Sequence, residues 1–167
     1  MTASTALRAA IANGIHGVSR PGNEEFAILR NYALGVDGGD TGAPGASATK
    51  MFADSRSVAA SANDNLDMSG SLTAADGTTF SPSLVYGIVV RNTAAAGGGV
   101  LTIGAAAANQ FDGPFSAVTG AVKLEPGESV AFESVAGWAV VGGTGDILGV
   151  SNSAAGAATY DIVVIGA

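Results

Sequence analysis

Residues 121–132, AVKLEPGESVAF, decide the fold. Val122 and Leu124 alternate with Lys123, Pro126-Gly127 supply a tight turn, and Val130 and Phe132 alternate on the return. A period of two on either side of a Pro-Gly turn is a β-hairpin, because successive side chains of a strand point to opposite faces. The same grammar extends in both directions. Short runs rich in Val, Ile and Leu, punctuated by Gly, Pro, Asn and Asp, predict strands near 56–60, 64–68, 85–91, 99–103, 117–124, 129–134, 138–141, 147–151 and 159–165. Residues 85–90 and 162–165 run without a charged side chain and are expected centrally or against a neighbour. Eight or nine short strands with no helical period between them predict a mainly β chain. The expected architecture is an antiparallel β-sandwich of jelly-roll type over residues 51–167.

Residues 1–50 read differently, as an N-terminal arm. Residues 4–13, STALRAAIAN, have Ser4 as N-cap, Leu7 and Ile11 one turn apart, and Gly14 as a stop; this spacing predicts a short helix. A second helix is predicted over 24–34, capped by Asn23, with Glu24 and Glu25 at its positive end and Gly35 at its C-terminus. Leu7, Ile11, Phe26, Leu29 and Tyr32 are the arm's candidate partner-binding residues. Neither helix is long enough to hold by itself in water. Residues 35–50, GVDGGDTGAPGASATK, contain five Gly, one Pro and little to bury, and predict a linker able to reach roughly 50 Å.

Charge divides at the same place. Among the 167 residues, residues 1–50 carry four bases and four acids, whereas the remainder carries three bases and ten acids and so the whole net charge of −7. A pI near 4.3 argues against a nucleic-acid partner, which requires a basic face to displace counterions. The positive mean hydropathy of +0.37 comes largely from 33 alanines. The longest apolar run, near 100–108, is far short of the roughly 20 residues of a spanning helix, so no membrane partner is expected. The opening MTASTALRAAIANGIHG has no long leucine-rich stretch, and a secretory signal is not expected either. With no cysteine there is no disulfide, thiolate metal site or thiol nucleophile.

The residues that could carry chemistry are few. His16 stands alone in the arm, with no nucleophile elbow elsewhere, and reads as an exposed or capping histidine. Asp64 with Asp67, and Glu125 with Glu128, are close carboxylates that read as strand-edge and turn acids rather than a catalytic pair. Calcium is the better-supported chemistry, at Asp37, Asp40 and Thr41 or at Asn63, Asp64, Asn65 and Asp67. Neither group has the twelve-residue spacing or closing Glu of a calcium loop, so no metal and no cofactor is assigned. VGGTGD at 141–146 lacks the lysine and following helix of a phosphate loop and reads as a turn. Trp138 is expected in the core ahead of a sugar-stacking role.

An ordered set of motifs spans the body: NLDMSGSLT with its DG turn, the PGES hairpin, the GDIL strand entry and the closing YDIVVIG. Together they resemble small structural proteins of tailed-bacteriophage virions, over residues 51–167. The resemblance implies a β-sandwich in the virion, best matched by a non-enzymatic capsid decoration (cement) protein. Its partner would be the major capsid protein or another virion protein, and the chain would form a homo-oligomer, with a trimer as the expected form. A tail or neck connector and a receptor- or glycan-binding adhesin module stand as alternatives.

Overall fold

The C-terminal segment TYDIVVIGA pairs on both edges and organises one whole sheet. The computed structural model describes residues 9–12, 29–32 and 48–167. Its strands are β1 (Ala9–Ala12), β2 (Leu29–Tyr32), β3 (Lys50–Val58), β4 (Asn63–Asp67), β5 (Leu72–Thr73), β6 (Thr79–Phe80), β7 (Leu84–Asn92), β8 (Leu101–Gly104), β9 (Ala121–Leu124), β10 (Ser129–Ala139), β11 (Ile147–Asn152) and β12 (Ala158–Gly166). Two four-stranded sheets run in the orders β10-β7-β12-β3 and β4-β11-β8-β9, and β1-β2 and β5-β6 form separate two-stranded ladders. Every ladder is antiparallel. The pairings nest: β8 with β9 inside β7 with β10, these inside β4 with β11, and all inside β3 with β12.

Period-two patterning decides what faces inward. On β12, Tyr160, Ile162 and Val164 are buried whereas Thr159 and Asp161 are exposed. They join Ile88 and Val90 of β7, Leu101 and Ile103 of β8, Leu124 of β9 and Leu148 and Val150 of β11 in one cluster drawn from both sheets. Each such side chain stabilises the fold by about 1.5–3 kcal/mol through apolar area withdrawn from water. The long β8–β9 connection adds Phe111 and Phe115, the latter edge-on to Phe132 at 5.3 Å. A smaller cluster of Ala48, Tyr86 and Ile165, flanked by Met51, Leu84, Val89 and Val163, forms beside it. Ala48 and Lys50 therefore belong to the body rather than to the linker.

The structure departs from the strand expectations in several places: the strand expected over 56–60 runs Lys50–Val58, and the short β5–β6 ladder was not expected. Residues 129–134 and 138–141 were expected as separate strands, but Ser129–Ala139 is one strand with an outward loop between Glu133 and Trp138. Ser134 Oγ accepts the Gly137 N–H at 3.0 Å, and Gly137 adopts φ +79° above the Tyr86 ring. The strand expected over 117–124 is limited to Ala121–Leu124, because Phe115 to Gly120 turn back on themselves.

The helical expectation for the arm is corrected where the arm is described. Ala9–Ala12 and Leu29–Tyr32 are strands, paired with Ala9 opposite Tyr32 and Ala12 opposite Leu29. Segments of about ten residues do not sustain a helix alone, so backbone groups that find a partner segment are satisfied by a ladder instead. The remainder of both predicted helices, and linker residues 35–47, lie outside the described residues.

Candidate functional site

Two places bring polar side chains together. The first is at the sheet edges. Arg56 on β3 donates from Nε to Asp64 Oδ2 at 2.6 Å and from Nη2 to Oδ1 at 3.1 Å. Tyr160 on β12 donates its hydroxyl to the same Oδ2 at 2.8 Å, and Arg56 Nη1 reaches Asp54 at 2.9 Å. Burial pushes the Asp64 carboxyl up, but the hydrogen bonds from Arg56 and Tyr160 and the arginine charge outweigh it and hold it below the usual carboxylate range. Burial, and then the bond to Asp64, push the Tyr160 phenol up. The hydrogen bond to Asp64 likewise raises the Arg56 guanidinium. The network joins β3 and β12 of one sheet to β4 of the other and is structural in character.

This answers the acidic cluster at Asn63–Asp67. Asp64 is committed to Arg56 and Tyr160, while Asp67 Oδ1 accepts the Ser69 N–H and hydroxyl at 2.8 and 2.7 Å. Among the described residues, no group of three or more acids and histidines could hold a metal ion. Glu128 accepts the Glu125 N–H at 2.8 Å across the Pro126-Gly127 turn, and Glu125 pairs with Lys123, so these are turn acids. His16, Asp37, Asp40, Thr41, Leu7 and Phe26 lie outside the described residues; Ile11, Leu29 and Tyr32 fall on the β1–β2 ladder.

The second place is a cleft of about 510 Å³ between the β8–β9 connection and the β10–β11 turn. Asp112, Gly113 and Val118 come from the connection, Trp138 from the end of β10, and Val141, Thr144 and Gly145 from the turn. Its walls are stapled together. The Asp146 and Ile147 N–H groups both donate to Asn109 O, at 3.0 and 2.9 Å, and Phe111 N–H donates to Ile147 O at 2.8 Å. Gln110 is buried with its amide donating to Phe111 O and accepting from Ala106 N–H. Gly113 lies flat against Trp138: an added Cβ would stand 2.5 Å from the tryptophan Cβ.

The VGGTGD segment is the turn that its sequence indicates, closed by Val141 pairing with Gly145. Asp146 fixes it by accepting the Gly143 N–H at 2.7 Å, a bond that also lowers the carboxyl pKa. Among the described residues, its other oxygen is buried with no hydrogen bond of normal length. Trp138 only partly follows its core expectation, since it packs against the main cluster and also lines the cleft. Val118 and Val141, 59% and 54% exposed, stand at its rim. The sequence carried two pointers to this place, the single tryptophan and the VGGTGD turn that holds Thr144; Asp112 arrives from a segment with no local signal.

No protein-family model matches the chain, and no curated protein sequence matches it.

Proposed function

We propose that this chain is a non-enzymatic structural protein of a tailed-bacteriophage virion, acting as a capsid decoration protein. The observation that carries the reading is the nested strand order. Numbering the eight strands of the two four-stranded sheets along the chain, first pairs with last, second with seventh, third with sixth and fourth with fifth. This is a hairpin rolled into two sheets, and we read it as a jelly-roll β-sandwich, an architecture used by viral capsid and lectin domains. The motifs behind the virion resemblance are parts of that roll. NLDMSGSLT runs from the second half of β4 through β5, PGES turns β9 into β10, GDIL opens β11, and YDIVVIG forms the C-terminal seven residues of β12.

In this reading the acidic body faces solvent and arm residues Leu7, Ile11, Phe26, Leu29 and Tyr32 bury against the shell or a neighbouring copy. A long tether and many copies give avidity through effective concentration. The test is to add the purified full chain to phage heads that lack it and to label intact virions with an antibody against it. Head labelling, together with heads that retain DNA at higher temperature, is the expected result. Tail labelling would favour a connector instead. Unchanged head binding after Leu29→Asp and Phe26→Asp would sink the arm as anchor.

A further inference from the structure

We propose that the cleft beside Trp138 is a carbohydrate-binding site that takes a pyranose ring against the indole. The inference is independent of where in a virion the chain resides. It begins from the polar side chains of that cleft. Of the body's other embedded polar side chains, Asn92 donates to Gly99 and Leu124 carbonyls, Asn152 to Val58, Ala59 and Gly156 carbonyls, and Asp64 receives Arg56 and Tyr160, while Asp146 uses one oxygen on the Gly143 N–H. Exposed Asp112 and Thr144 and half-buried Trp138 line one cleft beside Val118 and Val141, and their side chains are not among those that bond other described residues.

The chemistry of the lining selects the ligand class. The indole and valines offer an apolar surface, and an aromatic face stacks well on the C–H face of a sugar ring. Around it stand an acceptor, a hydroxyl that donates or accepts, and a donor-only indole N–H. A ligand with one apolar face and a rim of hydroxyls meets all of these together. A purely apolar ligand would bury the Asp112 carboxylate unpaired, which is costly. An anion would meet Asp112 and a chain of net charge −7. A quaternary ammonium would suit Asp112 and the ring face but would give the indole N–H and Thr144 nothing to bond.

Size and rigidity agree. The volume of about 510 Å³ falls in the roughly 300–1,000 Å³ span of small-molecule sites. The walls are held by backbone bonds to Asn109 and Ile147 and by Gly113 against Trp138, so little ordering accompanies binding.

Trp138 is the chain's only tryptophan, so emission from the full chain reports this place alone. The probes are glucose, galactose, mannose, N-acetylglucosamine and their short oligomers, followed by a glycan array. Cyclohexanol and tetramethylammonium serve as apolar and cationic counterparts. A saturable emission change with at least one saccharide, at about 1–10 mM for a single ring, is expected. Asp112→Asn should weaken it by about tenfold while leaving the unfolding midpoint in place, because Asp112 is exposed. The proposal is overturned by an absence of saturable response to every saccharide. It is equally overturned by stronger binding of either counterpart, or by saccharide affinity that survives Asp112→Asn and Thr144→Val together.

Discussion

Arg56 and Asp64, eight residues apart in the chain, meet as a two-pronged ion pair between the edge strands β3 and β4 of opposite sheets. Their side chains keep 29% and 16% of their exposure, so water screens the pair only in part. Two parallel N–H···O bonds fix direction as well as distance, which a single lysine charge could not do. With Tyr160 donating from inside, the pair closes an edge where neither sheet continues.

Removing one member of this pair should cost more than a surface ion pair is worth. Asp64→Asn strands Arg56 and the buried Tyr160 hydroxyl, and a loss of about 1–3 kcal/mol is expected after allowance for screening. Urea unfolding reads it as a lower midpoint at unchanged slope. Replacing both partners together, as Arg56→Met with Asp64→Leu, should recover much of the loss. A double variant no better than the single one would place the stabilisation outside the pair.

The same carboxylate predicts an acid limb. Because Asp64 titrates below its unfolded value of about 3.9, its contribution is complete above that pH and is lost as pH falls through the lower folded value. The stability gap between the native chain and Asp64→Asn should therefore be flat from about pH 5 to 8 and shrink below about pH 3.9. A gap that widened on acidification would contradict the assigned direction.

Three glycines separate backbone strain from crowding. Gly156 has open space and no positive φ, so Gly156→Ala should be within about 0.5 kcal/mol of neutral. Gly127 has open space but φ +88°, and its alanine variant should lose about 1–2 kcal/mol through the left-handed backbone alone. Gly137 has φ +79° and would place a Cβ 2.9 Å from Tyr86, so Gly137→Ala should be the worst of the three. Thermal midpoints measured side by side test the ranking; an equal loss at 127 and 137 would mean that the Tyr86 ring moves aside freely.

Asn152→Ala should be as damaging as the loss of a large core side chain, at about 2–4 kcal/mol. Its amide donates to three carbonyls at 3.2, 3.1 and 2.8 Å while its oxygen accepts Ala154 N–H at 3.0 Å. Loss of hydrogen-exchange protection should spread to Val58 and Ala59 as well as to the 152–158 loop. Protection lost only within the loop would reduce Asn152 to a local turn residue.

The strand content was legible because period-two alternation and Gly/Pro punctuation are local. The hairpin at 121–132 has β9 and β10 where the alternation put them, and β7, β11 and β12 differ from their expected spans by at most one residue at either end. Locality also explains the misses. Leu72–Thr73 and Thr79–Phe80 are too short to show a period, and the loop within β10 looked like a break between two strands. In the arm, cap residues and i, i+4 spacing favoured helix over segments that pair as strands where described. A distant partner segment outweighs weak local preference when the helix is too short to hold alone.

What the chain settles by itself is its class: an acidic, cysteine-free body rich in short strands. Tertiary structure alone decided the sites. Arg56, Asp64 and Tyr160 form one network across 104 residues of chain, and Asp112, Trp138 and Thr144 share one cleft. A carboxylate's neighbours are set by which strands become adjacent, and adjacency between strands far apart in the chain follows from packing two apolar faces together. The alternation that announces each strand carries no mark of that choice.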